Sequence, residues 1–121
     1  MIVRALTASP EAAFDAWLDP LVMHRWMASA PDHEIVAIDL APRTGGDFII
    51  VELAGQREHC VYGRFDAVVR PSHLELTLAD ASGVSVDIVP CTTGCEVRVV
   101  PRGGGRERWK RMLDRLVRVL G

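Results

Sequence analysis

Apolar side chains recur along this chain at two different intervals, and the change from one to the other lays out its elements. Near the C-terminal end, Trp109, Met112, Leu113, Leu116, Val117 and Leu120 fall at i, i+3, i+4, i+7, i+8 and i+11. That spacing predicts an amphipathic helix from Gly105 to Leu120 with one continuous apolar stripe. Arg106, Glu107, Arg108, Lys110, Arg111, Asp114, Arg115 and Arg118 fill the other positions, so the opposite side faces water. Burying six such side chains supplies on the order of 9 to 18 kcal/mol before entropy is subtracted, an upper bound. An isolated helix of this length is marginal, so it needs a surface built by the rest of the chain.

That surface is written in a period of two. Ile2 to Leu6 reads as an opening strand, and from His33 onward the alternation predicts strands at Glu34 to Leu40, Asp47 to Leu53 and Glu58 to Val69. His73 to Leu78 sets Leu74, Leu76 and Leu78 inward. The last two strands do the same with Val84, Val86 and Ile88, and with Cys95, Val97 and Val99. Turn residues separate the runs, at Ala41 to Gly46, Ala54 to Arg57, Arg70 to Ser72, Asp80 to Gly83 and Thr92 to Gly94. Gly63 in the longest strand predicts a bulge or bend where the sheet curves. Between the first strand and the rest, Ser9 as N-cap, Pro10 at the first helical position and Glu11 begin a short helix with Ala13, Phe14, Trp17 and Leu18 inward. Asp19-Pro20 ends it and opens a second, from Leu21 to Met27, with Trp26 inward and His24 and Arg25 outward.

The order is strand, two short helices, six strands, one long helix (β-α-α-β6-α). This is an α+β chain in which a curved antiparallel sheet of six to seven strands wraps around the long C-terminal helix. Bending a sheet round one helix leaves a hollow between them, a usual place for an apolar ligand.

Length and composition fit a single domain over residues 1 to 121. The apolar fraction is 49% and the charged fraction 25%, ordinary for a globular protein. No apolar run reaches the roughly 18 residues of a membrane span, and the start lacks a basic segment followed by a hydrophobic one. Three cysteines form no regular framework, which points to reduced thiols and a cytoplasmic setting. Charge is uneven: the last helix carries six basic residues against Glu107 and Asp114, an excess of four, within a net charge of −2 that leaves the remainder at −6. A solvated face accounts for this, because no aromatic, Asn or Gln residue interleaves the charges as base reading needs, and no nucleic-acid partner is expected. Docking of an acidic protein or a phosphate on that face is the alternative.

Motifs for chemistry are sparse. Cys91 and Cys95 flank Thr92-Thr93-Gly94, a hairpin turn, and small apolar strand residues explain both better than a zinc ligand pair or a disulfide does. Gly103-Gly104-Gly105 before a helix lacks the Lys-Ser/Thr of a phosphate loop and reads as a hinge. His24, His33, His59 and His73 lie in separate elements. No catalytic set, metal site or cofactor motif is predicted.

The run from Arg4 to Pro20, followed by Arg25-Trp26, resembles the opening of the activator of heat-shock-protein-90 ATPase homologue-like family, part of the START-like (SRPBCC) helix-grip superfamily. The resemblance continues through Asp39 to Phe48 with its Gly45-Gly46 turn, through Gly63 to Leu74, and at Trp109, Leu113 and Leu116. Two departures stand out. Relatives often carry two Trp and then Gly-Pro, where this chain has Trp26-Met27 and Ala28-Ser29-Ala30-Pro31, and a longer segment where it has only Pro101 to Gly105. A differently shaped cavity mouth is expected.

The resemblance implies a small hydrophobic or amphipathic ligand held without catalysis between helix and sheet, with a homodimer compatible. A cyclase- or hydratase-type enzyme in the same cavity, or a protein-interaction module, is the alternative. Side chains that such an architecture turns inward include Trp17, Trp26, Phe48, Tyr62, Phe65, Trp109, Met112 and Leu116. Asp39, Glu52, Tyr62 and Arg64 are the polar candidates for orienting the ligand, with strand parity deciding which of them face the hollow.

Overall fold

A computed structural model describes residues 1 to 121. The elements are β1 (Ile2–Leu6), α1 (Pro10–Asp15), α2 (Pro20–Met23), β2 (His33–Leu40), β3 (Asp47–Ala54), β4 (Arg57–Val69), β5 (His73–Leu78), β6 (Gly83–Cys91), β7 (Gly94–Arg102) and α3 (Arg106–Leu120). All seven strands join one antiparallel sheet in the order β1-β7-β6-β5-β4-β3-β2. β1 and β2 are therefore its two edges, and the sheet curves without closing.

Local chemistry explains the helix boundaries. The Ser9 hydroxyl accepts from the Ala12 amide at 3.1 Å with Pro10 in the first position, and the Asp19 carboxylate accepts from the Leu21 amide at 3.0 Å. The second helix is shorter than the sequence predicts. It ends at Met23, and the chain continues to Trp26 in a tighter coil, with the Arg25 amide donating to the Val22 carbonyl at 2.9 Å and the Trp26 amide to the Met23 carbonyl at 3.2 Å. Gly103, Gly104 and Gly105 all have positive φ (75°, 100° and 82°), so the turn into α3 uses backbone that side chains resist. The far end of α3 is tied to the start of the chain. Thr7 donates to the Gly121 carbonyl from its amide at 2.8 Å and its hydroxyl at 2.6 Å, and Arg4 holds Asp114 at 2.8 Å.

The core lies between the concave face of the sheet and the helices. Trp109, Met112, Leu113 and Leu116 of α3 bury against Phe14 and Trp17 and against Leu74, Leu76, Val84, Val86, Val97 and Val99 of the sheet. Alternation fails to give the sheet's parity at two points. An extra residue at Val36 in β2 and another at Asp66 in β4 interrupt the register, so the inward set changes parity within a strand. The bulge expected at Gly63 therefore lies three residues on. Gly63 itself pairs in register with Phe48 on one side and Leu78 on the other, and a Cβ there would overlap the Phe48 ring.

Candidate functional site

A cleft opens on the concave side between α3, the coil after α2 and strands β3 to β5. Its wall is mainly apolar: Trp17, Met27, Phe48, Phe65, Trp109 and Met112 are among the side chains that form it, with Ser29, Glu52 and Arg108 as its polar members. About 510 Å³ is empty, open mouth included, but the cavity itself measures only about 40 Å³. The space is thus a narrow slot, wide enough for a few waters.

Of the residues singled out in the sequence, Trp17, Phe48, Glu52, Phe65, Trp109 and Met112 line this slot. Trp26 and Leu116 are buried but stand behind it as core, Trp26 with its indole N–H donating to the Ala16 carbonyl at 3.0 Å. Asp39, Tyr62 and Arg64 face the other way. Cross-strand register aligns Asp39 with Ile49 and Ile49 with Tyr62, one row out of phase with inward Phe48, Ile50 and Glu52. Tyr62 is 54% exposed, and Arg64 reaches along the outer face to Asp66 at 3.2 Å. These three polar candidates are corrected to the convex surface. The cause is parity: Val61, Gly63 and Phe65 occupy the inward positions of β4 ahead of its bulge.

The polar corner of the cleft escaped the sequence reading except for Glu52. Its carboxylate, 1% exposed, accepts from the Ser29 amide at 3.0 Å, the Ser29 hydroxyl at 2.7 Å and His33 Nδ1 at 2.7 Å. Residue separations of 19 and 23 carry no motif, and only the pairing of β2 with β3 brings these groups together. The set is not a nucleophile–base pair. Ser29 Oγ and His33 Nδ1 converge on the same Glu52 oxygen and sit 3.4 Å from one another, so the serine proton is directed at the carboxylate. Glu52 thus already accepts three hydrogen bonds from its own neighbours, two on one oxygen and one on the other.

Two further features border the slot. The Trp17 indole N–H is buried without an acceptor, stacked between Trp109 at 5.8 Å and the edge of Trp26 at 4.8 Å. Arg115 donates to the Ala28 carbonyl at 3.3 Å, beside Ser29. Burial first, then Arg111 and Arg118, draws its guanidinium below the ordinary arginine value, while Glu52 pulls the other way. No three His, Cys, Asp or Glu side chains gather as a metal site, and Cys60, Cys91 and Cys95 are all free. Cys95 lies in the core, where burial raises its thiol, and Cys91 is exposed on the hairpin. No helix is long and apolar enough to cross a membrane.

Compared with known families, residues 7–121 match the profile of the Activator of Hsp90 ATPase homolog 1-like protein family. The chain belongs to that family. Among solved structures it is similar to the AHSA1-like protein of Aeromonas hydrophila, at 23% identity and a TM-score of 0.85, covering 98% of this chain and 88% of that one. A protein of Nitrosomonas europaea gives a TM-score of 0.85 at 15% identity, covering 98% and 91%, and one of Rhodobacter sphaeroides 0.83 at 18%, covering 98% and 88%. At these identities the likeness is one of fold. None of the curated proteins matches.

Proposed function

We propose that this protein binds a small hydrophobic or amphipathic molecule, without transforming it, in the cleft between α3 and the sheet. The observation that carries the reading is the wall itself: aromatic rings, methionines and the aliphatic side chains of the sheet, with polar groups confined to the Ser29–Glu52 corner and Arg108. Ligand pockets usually hold roughly 300–1,000 Å³, far more than this slot admits. Met23, Met27 and Met112 line it, and unbranched thioethers change rotamer at low cost, so the guest enters by moving them aside. Membership of a helix-grip family supports the same reading, as does the commitment of Glu52 to its own neighbours. The site of action we infer is the cytoplasm, where three free thiols stay reduced.

Native mass spectrometry of protein purified gently from its source tests this, with Met112→Trp as a filled-cleft control. A retained molecule that the variant loses supports the proposal. A wild-type spectrum at the bare polypeptide mass, together with no response of the cleft tryptophans to added apolar probes, would overturn it.

A further inference from the structure

Resting on that reading, we infer that the guest is an anionic amphiphile, a single slender hydrocarbon chain whose acidic head lies on an arginine stripe along α3. Arg108, Arg111, Arg115 and Arg118 succeed one another at i, i+3, i+7 and i+10, which a 3.6-residue period places along one side of the helix. The stripe borders the cleft. Arg108 forms part of its wall, Met112 follows one turn on, and Arg115, about 10 Å from Arg108 along the axis, bonds Ala28 between the wall residues Met27 and Ser29.

The acids that could neutralise this stripe are occupied. Asp114 pairs with Arg4 at 2.8 Å and Glu107 with Lys110 at 3.5 Å. Asp80 feels the field of Arg108, yet its carboxylate accepts from the Ser82 amide at 2.9 Å and hydroxyl at 2.5 Å. Glu52 attracts Arg115 but is held by Ser29 and His33. Arg111 and Arg118 form no ion pair, and they repel Arg115. An anion on this side relieves that repulsion and finds several charged donors, the strong form of hydrogen bond. The narrow slot selects the other end of the guest: a flexible chain can thread between methionines and rings where a fused ring system cannot.

Dodecanoate and dodecyltrimethylammonium below their micelle concentrations, and dodecanol below its solubility limit, separate head from tail, with tryptophan fluorescence and calorimetry as readouts. Dodecanoate is expected to bind about tenfold more tightly than dodecanol. The Arg111→Gln, Arg118→Gln variant, which leaves the wall residue Arg108 and the Arg115–Ala28 bond in place, is expected to lose much of that preference while keeping its affinity for dodecanol. Equal binding of all three probes by the wild type overturns the anionic head and leaves the cleft reading standing. Binding of none overturns both. Failure with dodecanoate but co-sedimentation with phosphatidylglycerol vesicles shows that the stripe docks on a membrane surface, which also overturns the inference.

Discussion

Glu52 on β3 and His33 at the start of β2 meet at 2.7 Å, diagonally across the strands, two residues from Ile35, the register partner of Glu52. A carboxylate that is 1% exposed stays there only because three donors replace its water. Glu52→Gln keeps the shape and removes the charge, and it turns an amide N–H₂ toward groups that themselves donate. The expected loss is about 2 kcal/mol, read as a lower urea midpoint with the slope unchanged. A midpoint equal to the wild type's would show that the corner carries no stability.

On the convex face, His73 bridges Glu75 at 3.0 Å and Asp87 at 2.8 Å. The hydrogen bond to Glu75, then that to Asp87, raises its imidazole above the ordinary value of 6.5. A raised folded-state value means that the charged ring stabilises the fold fully below that ordinary value, and that the gain is lost as pH rises through the folded one. The difference in Tm between wild type and His73→Gln should therefore be largest near pH 5.5 and shrink toward about pH 8.5. A difference that stays level over that range contradicts the bridge.

Asp15 runs the other way. The hydrogen bond from Arg70, at 2.8 and 2.9 Å, holds its carboxyl below the ordinary 3.8 despite partial burial. Its contribution is present above that value and lost as pH falls through the lowered one, so Asp15→Asn should cost stability at neutral pH and progressively less as the pH falls below 3.8. Acid titration of both proteins by circular dichroism compares them directly.

How far these features could be read from the chain depends on the range over which each is encoded. The α3 stripe of Trp109, Met112, Leu113 and Leu116 and the β5 alternation of Leu74 and Leu76 are local periodicities, and they appear in the structure where the pattern puts them. Bulges are not. An extra residue at Val36 or Asp66 leaves composition untouched while shifting phase, so no single alternation along β2 or β4 reveals that Asp39, Tyr62 and Arg64 lie on the convex side. The Ser29–His33–Glu52 corner needs the β2–β3 register as well as the coil after α2, and no spacing rule reports that juxtaposition. Gly63 drew notice as a bend, but its role is steric.

That role gives a prediction of its own. The φ of Gly63 is not positive, so alanine is acceptable to the backbone, but the added methyl would collide with the Phe48 ring and approach the Thr77 carbonyl to 2.9 Å. Gly63→Ala should cost about 1 to 3 kcal/mol by overpacking. It should also push Phe48 into the slot and weaken probe binding. Adding Phe48→Leu frees the space, so the double variant should recover part of the stability; a cost that persists undiminished would place the strain elsewhere than at the ring.

Trp17 and Trp26 offer a matched pair for the last test, since both are fully buried and their rings touch edge to face at 4.8 Å. Trp26 spends its indole N–H on the Ala16 carbonyl at 3.0 Å, whereas the Trp17 N–H has no acceptor. Replacing either with Phe removes similar volume, but only Trp26→Phe also deprives a buried carbonyl of its donor. Trp17→Phe relieves the protein of an unsatisfied group instead. Trp26→Phe should therefore be the more destabilising by about 1 kcal/mol or more in urea. A Trp17→Phe loss equal to that of Trp26→Phe would mean that the Trp17 N–H has a partner in solution, and the wall of the slot is where to look for it.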